Sequence, residues 1–247
     1  MKHLVASPCC QPGWSLDEAL STFSRLGFRK FEWFDHWVKS AFDVGGDPKL
    51  YVDKAQEHNL SYVSAHLPKV REGDDNSFRV AMTAACFVKA TGSQIAIFKA
   101  ETREACKRYL PAFLDQAERK GLTTVIQNHR KSAVQTLGDY EDILASVADD
   151  RLKVLLEVGH LKYMGIDWPE AVELLGDRVA LIHVKDIRDS ECVPFGEGQI
   201  DFPGLIAEMK ARKYSGDWVI ELEGPTRNNV EHNLRKAIDY FGGLGLS

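Results

Sequence analysis

Short apolar runs alternate with longer amphipathic segments along the whole chain. The runs are rich in Val, Ile and Phe and have the length of buried strands. Eight of them are candidate strands, at residues 3–6, 30–34, 61–66, 94–98, 123–127, 153–157, 180–184 and 218–222. A chain that repeats a strand and then a helix is typical of a parallel sheet. We therefore expect eight βα units.

The segments between these runs have apolar residues three and four positions apart, and most end in Gly, a favoured helix stop. Examples are LDEALSTFSRLG, VAMTAACFVKATG, REACKRYLPAFLDQAERKG and PEAVELLG. An open doubly wound sheet more often carries a Gly-rich dinucleotide turn after its first strand, and no such turn follows residues 3–6. The pattern predicts a closed (β/α)₈ TIM barrel, as one domain over residues 1–247.

Composition narrows the class of protein. A length of 247 residues with 44% hydrophobic and 27% charged residues fits one globular barrel. The net charge of -5 argues against a nucleic-acid partner, and no apolar run suits a signal peptide or a membrane span. Five cysteines without a C-x-x-C pair favour a reducing compartment. We expect a cytoplasmic protein, and a homo-oligomer is compatible with the sequence.

Polar side chains follow most of the predicted strands, at the end where TIM barrels place their active sites. Any one strand-end His or Glu is more often a packing residue than a functional one. A set from so many strands predicts a functional site. The set comprises Glu32, His66, Lys99, Gln127, Asn128, His129, Glu157, His160, His183, Lys185, Asp186, Glu221 and Glu223. From position we assign Glu32 and His129 to substrate binding and Lys99 to an acid/base or orienting role.

The last four strands of the predicted barrel supply oxygen and imidazole donors. These are Gln127, Glu157, His183 and Glu221. Such a set of ligands suits Mn²⁺ or Mg²⁺ best, and Zn²⁺ or Co²⁺ can also bind to it. A metal held there could polarise a substrate carbonyl and hydroxyl as a Lewis acid. Nucleophilic catalysis by serine is disfavoured because no G-x-S-x-G elbow is present.

Four motifs accompany the later strands: E-V-G-H at 157–160, H-V-K-D at 183–186, G-E-G-Q-I-D-F at 196–202 and V-I-E-L-E at 219–223. In order and spacing they resemble the xylose isomerase-like TIM barrel family. That family includes sugar phosphate isomerases and epimerases, hydroxypyruvate isomerase, inosose and 3-dehydroshikimate dehydratases, and AP endonucleases of family 2. The resemblance covers essentially the whole chain.

The resemblance implies roles for individual residues. His183 and Glu221 would be metal ligands, Glu157 would stand at an aspartate ligand position, and Gln127 would stand where a glutamate is usual. His66 and His160 would face the substrate. The rim, with the G-E-G loop folded over the site, would be lined by Lys185, Arg188 and Glu197.

The first hypothesis for function is a metal-dependent isomerase or epimerase of a small keto-sugar or its phosphate, acting through an enediolate. Its acid/base or orienting candidates are Glu221, His66, His160 and Lys99. Family epimerases are thought to move protons between two metal-bound glutamates, and Gln127 cannot take up a proton near neutral pH. One-base chemistry therefore gains weight, and two alternatives stay open: a dehydratase-like lyase and a non-catalytic sugar-binding barrel. The nucleic-acid branch is disfavoured by the acidic charge.

Overall fold

A closed barrel of eight parallel strands forms the centre of the protein in a computed structural model that describes residues 2–246. Around the barrel the strands follow the order β1, β10, β7, β6, β5, β4, β3, β2, and β2 pairs with β1. Their bounds are β1 (Leu4–Ala6), β2 (Lys30–Trp33), β3 (Ser61–His66), β4 (Ile95–Phe98), β5 (Thr123–Gln127), β6 (Leu152–Glu157), β7 (Val179–Val184) and β10 (Asp217–Ile220). The predicted barrel is confirmed, and each predicted run overlaps one barrel strand.

Nine α-helices within residues 2–246 accompany the strands. They are α1 (Leu16–Arg25), α2 (Pro48–Glu57), α3 (Asp75–Ala90), α4 (Arg103–Arg119), α5 (Leu137–Val147), α6 (Val158–Tyr163), α7 (Trp168–Leu175), α8 (Phe202–Ala211) and α9 (Val230–Gly243). The four segments with helical period lie in or overlap α1, α3, α4 and α7. Over the described residues, no helix has both the length and the apolar character needed to cross a membrane.

Local sequence explains where these helices begin. Ser15 and Glu18 form a capping box at the start of α1, in which each side chain binds the backbone N–H of the other residue. Ala19, Leu20 and Phe23 then form the buried face of α1. This helix is held to the barrel by that apolar stripe, because intrinsic propensity alone stabilises a helix of ten residues poorly.

One layer of apolar side chains fills the interior of the barrel. It consists of Val5, Ile97, Val125, Leu155, Leu181 and Val219, all fully buried. Side chains alternate along a strand, so the residue two positions further on also points inward, closer to the mouth of the barrel. On all six of these strands that position is polar, and the residues are Ser7, Lys99, Gln127, Glu157, His183 and Glu221. The strand pattern therefore delivers a polar layer directly above the apolar one.

A two-stranded antiparallel hairpin interrupts the chain after β7. It pairs β8 (Asp186–Arg188) with β9 (Glu191–Val193), and both turn residues, Asp189 (φ 50°) and Ser190 (φ 64°), are left-handed as a tight hairpin turn requires. The Asp186 carboxylate accepts hydrogen bonds from the backbone N–H groups of Gly196 (3.0 Å) and Gly198 (2.9 Å). The loop after the hairpin is thereby tied to its first residue. The sequence pattern did not predict this hairpin.

Gly198 is expected to tolerate no side chain, because a Cβ there would lie 1.9 Å from Oδ1 of Asp186. Gly198→Ala should lower the free energy of unfolding by about 1–3 kcal/mol, the usual cost of overpacking a filled site. Gly243→Ala is the control, since a Cβ at that helical position meets nothing within 4 Å. Urea denaturation of both variants tests this expectation, and equal stabilities would contradict it.

Candidate active site

Three donor side chains meet at the mouth of the barrel. Glu157 is the last residue of β6, His183 is the last but one of β7, and Glu221 directly follows β10. The His183 Nδ1 atom lies 3.6 Å from Oε2 of Glu157 and 3.2 Å from Oε1 of Glu221. All three residues are buried, and one ligand atom of each lies within 4.8 Å of the others. The cluster is therefore compact enough for one cation.

Glu32, fully buried at the end of β2, holds two histidines from opposite strands. Its Oε2 lies 3.0 Å from Nε2 of His183, and its Oε1 lies 3.2 Å from Nε2 of His66. Ser64 also donates to Oε2, at 2.7 Å. An ionised carboxylate only accepts, so both Nε2 atoms carry hydrogen and both Nδ1 atoms are left for other partners when the rings are neutral.

Charge explains why Glu32 stays ionised in this position. Burial alone would raise its pKa, but the charges and hydrogen bonds of His183 and His66 outweigh burial and lower the pKa of Glu32 to about 2. At neutral pH the group is therefore a carboxylate that fixes the orientation of both rings.

Lys185 is a fully buried cation behind this cluster. Its Nζ atom lies 2.7 Å from Oε2 of Glu221, 2.6 Å from Oε1 of Glu223 and 3.5 Å from Oε2 of Glu157. Burial would lower the pKa of Lys185, yet the surrounding carboxylates raise it well above its ordinary value. The Lys185 side chain passes over Gly159, and a Cβ at position 159 would lie 2.2 Å from Cγ of Lys185. The E-V-G-H motif thus provides the space that Lys185 occupies.

Two histidines whose rings are tilted against each other flank the cluster. The rings of His129 and His160 have centroids 3.9 Å apart, and Nε2 of His160 lies 3.4 Å from Nζ of Lys185. Burial and the charge of Lys185 lower the pKa of His129 to about 4, and the same causes lower the pKa of His160 further. Both rings are therefore neutral at neutral pH.

A cavity of about 250 Å³ opens above the cluster. Seven of the residues predicted for the site line it: His66, Lys99, Gln127, His129, His160, Glu221 and Glu223. Glu32, Glu157 and His183 lie beneath it and are fully buried. The volume falls below the range of about 300–1,000 Å³ that is usual for drug-sized ligands, so the cavity suits a single small molecule.

Two residues predicted for the rim lie elsewhere. Arg188 is exposed on the hairpin, where it donates to the backbone carbonyl oxygen of Glu197 at 3.1 Å. The Glu197 carboxylate pairs with Lys236 at 3.2 Å. Neither lines the cavity within the described chain, and Lys185 lies behind its wall. Arg188 is exposed on the hairpin and Glu197 is exposed in the loop that follows it, and the motif spacing did not reveal this.

Several cavity residues were not singled out from the sequence. Asp35, which follows β2, accepts from Lys99 Nζ at 2.6 Å and lies 2.6 Å from Nδ1 of His36. His36, Trp37 and Lys69 line the cavity from loops after β2 and β3. Their only sequence signal is position, a few residues beyond a strand carboxyl end.

The buried donors fit a divalent metal. Oε2 of Glu157 and Nδ1 of His183 are buried without a hydrogen-bond partner, which is costly for polar atoms unless a ligand satisfies them. Glu32 fixes the His183 tautomer that presents Nδ1, the usual arrangement behind a metal-bound histidine. Two carboxylates and one imidazole suit Mn²⁺, Mg²⁺, Zn²⁺ or Co²⁺. Ligation by Gln127 stays a prediction.

The chain belongs to the xylose isomerase-like TIM barrel family, whose model matches residues 20–242. The family resemblance predicted from the motifs is thereby confirmed. Among curated relatives, the chain is similar to inosose dehydratase of Mesomycoplasma hyopneumoniae, with 23% identity over 93% of this chain and 89% of that protein. Inosose dehydratase of Lacticaseibacillus casei is 26% identical over 51% of this chain and 49% of that protein.

Solved structures share the fold at lower identity. D-allulose 3-epimerase from Methylomonas sp. superposes with a TM-score of 0.79 at 18% identity, covering 98% of this chain and 97% of the other. The IolI protein, solved with a bound zinc atom, has a TM-score of 0.78 at 16% identity, covering 98% and 97%.

Replacing Glu32 tests whether its carboxylate orients His66 and His183. In Glu32→Gln the amide nitrogen faces one of the two rings as a donor, so that ring must change tautomer or rotate. We expect affinity for Zn²⁺ or Mn²⁺ to fall about 10–100-fold, the usual cost of losing a partner behind a metal ligand. Ser64→Ala, which keeps the carboxylate, should change the affinity much less. Metal titration measures both variants, and unchanged affinity in Glu32→Gln would refute the orienting role.

Proposed function

We propose that this protein is a metal-dependent lyase that removes water from a small polyhydroxylated ketone. The observation that carries the proposal is the pairing of one carboxylate-held histidine, His66, with a neutral Gln127 in the same cavity. This arrangement supports proton transfer by a single base. The first hypothesis from the sequence, an isomerase or epimerase acting through an enediolate, is kept as the second candidate, and a shuttle with two bases is supported less well.

Glu157, His183 and Glu221 would hold the metal, and Gln127 could add an amide oxygen. When bound, the metal would supply a positive charge that polarises the substrate carbonyl. Although burial raises the pKa of Glu221, Lys185 and His183 lower it more, and it ends well below the ordinary value. Glu221 is therefore a good ligand and a weak base.

His66 is the better base. It lines the cavity and stacks on Phe34, with ring centroids 4.1 Å apart, while Glu32 fixes its Nε2–H. Its Nδ1 has no hydrogen-bond partner among residues 2–246. Burial lowers the pKa of His66 despite Glu32, so the ring is neutral and has a free lone pair at neutral pH.

The proposed dehydration begins with the transfer of one proton from the substrate to His66. Nδ1 of His66 takes a proton from the carbon beside the carbonyl. The electron pair left on that carbon forms a C=C bond as the C–O bond on the next carbon breaks. The departing hydroxide takes up a proton, which the His66 imidazolium can return, and leaves as water. The similarity to inosose dehydratases supports this reaction class.

Product analysis tests the proposal. The metal content of the purified protein is measured first, and inosose and related hydroxyketones are then supplied with that metal. We expect a product that has lost one water, and His66→Asn should lower turnover by more than about 100-fold without loss of metal. A product of unchanged mass would contradict the lyase assignment, and binding without turnover would favour a sugar-binding barrel.

A second candidate is a sugar isomerase, because a single base can also return the proton to the neighbouring carbon. Two carboxylates, Glu221 and Glu223, line the cavity on the same side, where they could assist such a transfer. The fold shared with D-allulose 3-epimerase is compatible with it.

Gln127→Glu separates the two candidates. The added carboxylate should tighten metal binding, since charged oxygens hold hard cations better than amide oxygens do. In a lyase adapted to a neutral residue we expect dehydration to be unchanged or lower, and ketose isomerisation to remain absent. A gain in isomerisation on a ketose would favour the isomerase.

A further inference from the structure

The charged residues of the cavity are divided between opposite sides of the barrel. Glu221 and Glu223 follow β10. Lys69, Lys99 and Lys131 follow β3, β4 and β5. In the strand order, β3 stands across the barrel from β7 and β4 stands across from β10. Lys69 and Lys99 therefore face the proposed metal cluster from the far side of the cavity. Lys131 lies between the two sides, because β5 pairs with β6, the strand of Glu157.

The two sides differ in how far their charges are neutralised. Lys185 binds both Glu221 and Glu223, so the acidic side has its own buried cation. On the basic side, Asp35 pairs with Lys99 and is shared with His36. Lys69 and Lys131 have no ion-pair partner within 4.0 Å in the described part of the chain. The basic side thus carries uncompensated positive charge.

Lys69 and Lys99 both line the cavity, and their charges interact. Burial lowers the pKa of Lys99, Asp35 raises it, and the charge of Lys69 lowers it again. Two ammonium groups on one wall repel each other, and a bound anion would relieve that repulsion.

We infer that the substrate carries an anionic group, a carboxylate or a phosphate, which binds Lys69 and Lys131 while the hydroxyketone end lies between His66 and Glu221. This orientation rests on the proposed function. The cavity of about 250 Å³ limits the ligand to one small molecule that spans both sides. Trp37, half exposed beside Phe34, supplies an apolar surface for its C–H groups. Inosose, which has no ionised group, would leave the lysines unused.

A matched set of ketoses tests the inference by equilibrium binding. D-fructose, D-fructuronate and D-fructose 6-phosphate share the hydroxyketone end and differ only at the far carbon, which bears a hydroxyl, a carboxylate or a phosphate. Calorimetric titration of the protein should give at least one anionic ketose an affinity about 10-fold above that of fructose. The identity of the tighter ligand distinguishes carboxylate from phosphate.

Variants of Lys69 and Lys131 test whether these two lysines cause the preference for an anionic ketose. Lys69→Gln with Lys131→Gln should remove most of the anion preference, measured as the ratio of the affinities for the anionic ketose and for fructose. Each single variant should remove part of the anion preference. The single variants can be measured even if the double variant does not fold. Lys120→Gln is the matched control, because Lys120 follows α4 at the amino end of the strands. It should change nothing.

Two results would overturn the inference: equal affinities for the three ketoses, including no measurable binding of any, or an anion preference that survives the double variant. Binding is measured without turnover, so the outcome is independent of dehydration. A failed lyase assay would leave the binding result in place, and a failed binding test would leave the lyase proposal in place.

Discussion

A buried carboxylate is costly in a protein unless hydrogen bonds replace the water it loses, and Glu32 is buried completely. Ser64, His66 and His183 provide those hydrogen bonds. The same contacts decide which nitrogen of each histidine faces the site. The Nδ1 atom of His183 faces Glu157 and Glu221, and the Nδ1 atom of His66 faces the cavity. Stability and chemistry therefore depend on one group, because an apolar residue at position 32 would remove the burial cost but release both rings.

A second constraint is charge balance beneath the cavity. Glu157, Glu221 and Glu223 surround one buried lysine, and repulsion among three carboxylates would otherwise disfavour the folded state. Lys185 offsets one of these charges and holds two of the carboxylates in place. A divalent cation would offset the others. Gly159 belongs to the same arrangement, since only a residue without Cβ leaves room for the lysine chain.

The strands were predictable because each is a short apolar run, and the polar layer followed from the period of two along a strand. Gln127, Glu157, His183 and Glu221 all occupy such positions. Contacts between distant strands were not predictable in this way. Glu32 and His183 are 151 positions apart, and no local pattern pairs them. The hairpin was not predicted, because its turn uses Asp189 and Ser190 in a left-handed conformation without glycine. A role for Arg188 and Glu197 at the rim stays a prediction.

Gln127 connects the two halves of the site. It ends β5, which lies between β6, the strand of Glu157, and β4, which leads to Lys99. A carboxylate at this position would strengthen the metal cluster on one side, but it would also place a negative charge beside the lysines on the other. For a neutral substrate that charge would cost little. For an anionic substrate it would repel the group that the lysines attract. A neutral amide at 127 therefore suits a cavity that holds a cation at one end and an anion at the other.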